Sequence, residues 1–363
     1  MDPRHSHVPE LQSIRGLAAL TVLLHHSSFL FATGPTFHTV AEALINAHAA
    51  VMIFFVLSGY VLVRSLRNKA IDFENCARFY TARLFRIYPA LWAACAFAAG
   101  YLLLVHFQVP TQPASSWYDQ YFITPPGVTD FVRNMTAANS LLVPPSWSVR
   151  IELLASAVIP FIFVANQRGW GLALLGLLSV IAIVAALGKY HLGAIWVYLP
   201  SFALGAWAFR HQGRLGKIFG RTWVIALATV CLIFFRRINP AWRFEVNYHA
   251  IVPTFVESLA AAIIIVAIVA RPVAFLRNAV MIRLGDISYS LYLIHFIVMS
   301  AVAKVLSESG IYPDLRALLL MAGTLAVTWP LSIFLYTYVE KPGIWLGRMV
   351  FDNVHNRLKL KPA

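Results

Sequence analysis

The run GWGLALLGLLSVIAIVAAL, residues 169–187, contains nineteen residues and no charged side chain. A helix needs about 20 mostly apolar residues to cross the ~30 Å hydrocarbon core of a bilayer. This run meets that length, and Arg168 and Lys189 bracket it. The same test, moved outward in both directions, gives ten spans: about 11–33, 44–64, 87–107, 148–166, 169–187, 192–209, 222–236, 250–270, 286–304 and 315–338. Turn chemistry separates them, as at Gly34-Pro35 and Asn239-Pro240. The segment 106–147 is the one long connection. With Pro110, Pro113, Pro125, Pro126, Pro144 and Pro145 it suits an ordered extramembrane loop.

Composition agrees. Of 363 residues, 60% are hydrophobic and 12% charged, against roughly 25% charged in soluble domains. An ordinary cytosolic enzyme, a disordered chain and a coiled coil are thereby excluded. The expected fold is all-α: a polytopic membrane protein of about ten transmembrane helices enclosing a polar cavity. It reads as a single membrane-embedded domain over 1–363, with its core at about 11–346 and a basic cytoplasmic tail at 347–363. Cys76, Cys95 and Cys231 have neither disulfide nor metal-ligand spacing, so no metal site is expected.

The chain carries 29 Lys and Arg against 15 Asp and Glu, a net charge of +14. On so apolar a chain this reads as a topology signal, and no nucleic-acid partner is expected. With the N-terminus inside, 20 of the 29 basic residues fall on the inner side and seven outside. Both termini are therefore expected in the cytoplasm. Arg236, Arg237 and Arg243, in one outer loop, run against this scheme, and the seventh span is its weakest member. The first span holds Arg15, His25 and His26, which a disposable signal peptide has no reason to carry, so it reads as a retained helix.

Ionisable groups inside spans are costly and usually face a protein interior or a water-filled cavity. Arg15 and His26 are eleven positions apart, which puts them within ~20° of one helix face and ~16 Å apart along it. His25 points ~100° away and reads as structural. The run Phe54-Phe55-Val56-Leu57-Ser58-Gly59 reads as a close helix–helix packing site.

Arg83 and Arg86 are i, i+3 neighbours at the start of the third span, with Arg78 nearby. Such a cluster suits the phosphates of a nucleotide or lipid, and anchoring by the positive-inside rule is the plainer alternative. On the outer side, Trp147 and Ser148 precede Glu152, with Ser148 and Glu152 sharing a face. In the ninth span Ser288, Tyr292 and His295 form a polar stripe at i, i+4, i+7. Near the last span's end, Glu340 is expected to pair with an arginine, and Pro342-Gly343 to stop the helix.

In order and spacing, these segments resemble the acyltransferase-3 family of integral membrane O-acyltransferases. The matching pieces are 11–26, 54–59, 83–89, 146–152, 285–295 and 338–342. The resemblance implies ten helices, acyl-CoA as a cytoplasmic co-substrate with no bound cofactor, and usually a glycan or glycolipid acceptor on the outer side. It also implies that the pair Arg15 and His26 is essential. One departure stands out: the family often has an acid just before the Phe-Phe run, where this chain has Ala50-Val51-Met52. No appended hydrolase-like domain is expected.

The expected activity is transfer of an acyl group, in the first instance acetyl from acetyl-CoA, to a hydroxyl of a surface or exported glycan. The setting is a bacterial-type inner (plasma) membrane. His26, Arg15 and Glu152 are the catalytic candidates, and Arg78, Arg83 and Arg86 the donor-binding ones. Trp147, Ser148, Ser288, Tyr292 and His295 are expected to line the cavity. The alternative is a transporter or flippase using the same buried groups as a substrate or proton path.

Overall fold

The computed structural model describes residues 8–108, 115, 117–187, 195–243, 247–307 and 310–359. Among them helices are the regular secondary structure, joined by turns and loops, with no strand. The helices are α1 (Pro9–Phe29), α2 (Pro35–Leu44), α3 (Ala47–Leu66), α4 (Phe73–Tyr101), α5 (Val128–Met135), α6 (Trp147–Gln167) and α7 (Gly171–Leu187). They continue with α8 (Ile195–Arg210), α9 (Gln212–Phe219), α10 (Thr222–Phe234), α11 (Ile251–Ala270), α12 (Ala279–Ser307), α13 (Pro313–Leu335) and α14 (Lys341–Lys359). A helix satisfies its own backbone hydrogen bonds, which is why apolar sequence destined for lipid adopts it.

Each expected span overlaps one of these helices. By length and composition, six helical stretches among the described residues can cross a membrane. A seventh joins them if the pair 212–219 and 222–238, bent by 94°, counts as one span. That bend falls on the weakest of the expected spans. Arg4, Pro110, Pro113, Lys189 and Lys361 lie outside the described residues, as do the side chains of Arg357 and Lys359.

Contacts divide the chain into two compact units. Unit 1 comprises Met1–His25, Pro35–Asn68 and Ile151–Ser288; unit 2 comprises His26–Gly34, Lys69–Arg150 and Tyr289–Ala363. In unit 1, α3 and α8 cross at backbone distance. A Cβ added at Gly59 would strike the Phe202 carbonyl, and one at Gly205 the Val56 carbonyl. Here the expected packing role of Gly59 is met. Gly59→Ala is expected to cost about 1–3 kcal/mol through overpacking, measured as a lower thermal midpoint in detergent. An unchanged midpoint would show that the crossing tolerates a side chain.

In unit 2, the long connection contributes α5 and the segment 117–122. That segment is pinned by Ser115, which donates to the Leu30 and Phe29 carbonyls at 2.8 and 2.6 Å. Tyr118 then packs into a core with Leu30, Phe31, Phe296 and Met299.

The expected stop at Pro342-Gly343 is corrected. The chain passes from α13 through a π turn, Tyr336–Glu340, directly into α14. In that turn the Lys341 N–H bonds to the Tyr336 carbonyl, five residues back. The ladder thus changes register just before Pro342, which has no N–H to offer. Gly343 persists in the helix because α4 lies close, with the Phe85 carbonyl 2.9 Å from where its Cβ would be. Glu340 is buried and accepts from Ser290 at 3.0 Å.

Candidate active site

The polar residues of α1 both reach α12. In unit 1, Arg15 donates from Nε to Ser288 Oγ at 2.8 Å and from Nη2 to the Gly285 carbonyl at 3.0 Å. The two backbones are close enough there that a Cβ on Gly16 would lie 2.6 Å from the Gly285 nitrogen. Glycine at both positions permits that approach, and the arginine fork then ties the helices together.

In unit 2 the same two helices bring His26 and His295 together. His26 Nδ1 lies 2.9 Å from His295 Nε2, with the rings stacked at 5.2 Å and 17°. Trp117 stacks on His26 at 5.4 Å, and Phe296 meets it edge-on at 5.4 Å. His295 is fully buried, and its Nδ1 lies 2.8 Å from the Tyr292 carbonyl. A carbonyl only accepts, so His295 carries its proton on Nδ1. In a neutral ring Nε2 is then an acceptor, and His26 must donate to it from Nδ1. The His26 lone pair is thereby assigned to Nε2 by the hydrogen-bond partners. A chain of this kind holds one imidazole as a base and stabilises it once protonated, as the third member of a catalytic triad does.

Other sequence candidates join in pairs. Ser148 Oγ and the Tyr292 hydroxyl are 2.8 Å apart in unit 2. Trp147 is half-buried at the first position of α6. In unit 1 Glu152 accepts from Ser58 Oγ at 3.1 Å, so the serine of the 54–59 run has a polar partner as well as a packing place. Arg78, Arg83 and Arg86 lie along α4. Arg78 sits 3.8 Å from Glu74 and 3.9 Å from Asp352, with its guanidinium over the Phe351 ring. Arg83 and Arg86 are half-buried. His25 holds the Ile45 carbonyl at 3.2 Å, consistent with a structural part.

A family model described as an acyltransferase domain matches residues 8–333. The chain belongs to the acyltransferase-3 family. Acyltransferase MdmB of Streptomyces mycarofaciens is 26% identical over 382 residues, covering 94% of this chain and 93% of that protein. Nodulation protein 10 of Rhizobium leguminosarum bv. viciae is 25% identical over 322 residues, 80% of this chain and 83% of its own. Protein 2 in the picA locus of Rhizobium radiobacter is 29% identical over 161 residues, 41% of this chain and 78% of its own. No solved structure matches. With its apolar helices, this acyltransferase-3 protein is a multi-pass membrane acyltransferase.

Two groups near or beyond these sites were not singled out from sequence. Tyr118 and Tyr101 share Ser300 as a hydrogen-bond partner beside Phe296 in unit 2. In unit 1 a buried network centres on Glu257, which accepts from His48 Nδ1 at 2.5 Å, Asn46 Nδ2 at 3.0 Å and Arg236 Nε at 3.3 Å. Tyr198 extends it, 3.3 Å from His48 Nε2 and 2.7 Å from His249 Nδ1. Arg236 is therefore a buried ion-pair member and not a solvated loop charge. A lone acid in the apolar run 251–270 was the available signal.

Proposed function

We propose that this membrane acyltransferase moves an acyl group, acetyl in the first instance, from cytoplasmic acyl-CoA to a hydroxyl of an outer-side glycan or glycolipid. The observation that carries this reading is the chain from His26 through His295 to the Tyr292 carbonyl. A hydroxyl is a poor nucleophile until a base takes its proton, and imidazole suits that task near neutral pH. His26 Nε2 accepts the hydroxyl proton as the oxygen attacks the thioester carbonyl. The tetrahedral intermediate then expels the CoA thiolate, which takes that proton back from His26. His295 acts through His26 as a positioning residue. Arg15 holds α1 to α12, the helix pair that bears both histidines. The protein is read as residing in a bacterial-type inner membrane with both termini cytoplasmic.

Arg83 and Arg86 are the proposed ligands of the CoA phosphates. Forked guanidiniums match phosphate oxygens, and each such charge-assisted bond contributes about 1.5–3 kcal/mol. Arg83→Ala/Arg86→Ala is expected to weaken acetyl-CoA binding by about 10²-fold or more, read by calorimetry on purified protein whose thermal midpoint is retained. Wild-type affinity in that variant would remove the donor assignment. The activity itself is tested with membranes containing the protein, acetyl-CoA and a surface-glycan fraction. Thioester consumption matched by new glycan ester supports the reading; an intact thioester with every glycan fraction opposes it.

A further inference from the structure

The arginines that follow α10 line a shallow, open depression together with Glu42 and Asn46: its residues are Glu42, Asn46, Arg236, Arg237 and Arg243. All five belong to unit 1. One wall is rigid. Arg236 is held by Glu257 through Nε and, through Nη1, by the Trp242 and Asn247 carbonyls at 2.9 and 3.2 Å. Asn46 commits its amide hydrogens to the Leu232 carbonyl and to Glu257, and its oxygen to the Ala49 N–H. It shapes the pocket without offering a group to a ligand.

Arg237 is different. Its Nε is buried and has no hydrogen-bond partner among the described residues, although Glu42 lies near enough to act on it as a counter-charge. A buried donor without an acceptor is costly, and more so on a charged group. Among the described residues charge points the same way: three guanidiniums are set against the two carboxylates of Glu42 and Glu257. A planar carboxylate is satisfied by a single arginine fork. Donors from two residues six positions apart in one loop, Arg237 and Arg243, suit a tetrahedral group with oxygens in several directions.

We propose that this pocket binds a phosphate-type oxyanion, with Arg237 and Arg243 as its ligands and Arg236 as a fixed positive wall. The group could arrive on a phospholipid headgroup or on a soluble phosphate ester, and the test separates these sources. Purified full-length protein in zwitterionic detergent is titrated with inorganic phosphate, against chloride at equal ionic strength, and the thermal midpoint is followed. The expected result is a saturable rise with phosphate only. Arg237→Gln weakens the apparent affinity about 10–100-fold, and Glu42→Gln tightens it. Arg243→Gln, at an exposed side chain, weakens it as well.

In nanodiscs, phosphatidylglycerol abolishing the phosphate response while phosphatidylcholine preserves it identifies the headgroup as occupant. A response preserved in both identifies the soluble ester. The proposal is overturned by an equal response to chloride, by no response in detergent, or by wild-type affinity in both arginine variants. No turnover is measured, so this result is separate from that of the transfer chemistry.

Discussion

His26→Ala is expected to lower acyl transfer by about 10²–10⁴-fold, the usual worth of a positioned general base, while acetyl-CoA binding stays near wild type. The cause is specific to one atom. The hydrogen bond to His295 takes up Nδ1, so Nε2 is the nitrogen that receives the acceptor proton. His295→Ala is expected to lower kcat by a smaller factor, because it removes the group that orients and stabilises His26 and not the base itself. If His295 acts through His26, the double variant will be no slower than His26→Ala alone, since residues working as a unit are not additive. His25→Ala, at a residue held to the Ile45 carbonyl, is expected to stay close to wild type in turnover. Steady-state kinetics of glycan acylation check all four. Near-normal turnover in His26→Ala would refute the base assignment, and a trapped acetyl-protein adduct would refute attack of the acceptor oxygen on the thioester itself.

Helical periodicity made Arg15 and His26 legible as two residues of one face. It also made Ser288, Tyr292 and His295 legible as a stripe on another helix. What it could not supply is the pairing of 15 with 288 and of 26 with 295, because spacing reports which way a side chain points along its own helix and not which helix lies opposite. Trp117, stacked on His26, was hidden for a further reason: it lies in a proline-rich connection with no period to read. Pro342-Gly343 shows local chemistry overridden. The stop signal is real, but a π turn and the close face of α4 absorb it. Counting basic residues by loop could not reveal that Arg236 is buried against Glu257, because such a count carries no information on burial.

That burial sets the largest expected effect on stability. Glu257 is fully buried in α11 and accepts from three donors, one of them the cation of Arg236, itself 2% exposed. Glu257→Ala would leave the guanidinium inside without its counter-charge, along with two donors lacking an acceptor. Breaking a buried ion pair from one side costs about 3–5 kcal/mol, a large share of the 5–15 kcal/mol typical of a folded domain. A sharply lower thermal midpoint and a reduced monodisperse fraction in detergent are expected. Glu257→Gln keeps an oxygen for Arg236 and Asn46 and should cost less. Glu257→Ala/Arg236→Met removes the stranded cation together with its partner, so it should recover part of the loss, as apolar replacement of buried pairs does elsewhere. A Glu257→Ala midpoint equal to wild type would mean that water reaches Arg236 and that the network is not buried in the sense argued. A double variant less stable than the single would mean instead that the Arg236 bonds to the Trp242 and Asn247 carbonyls, and not its pairing with Glu257, hold this part of unit 1 together.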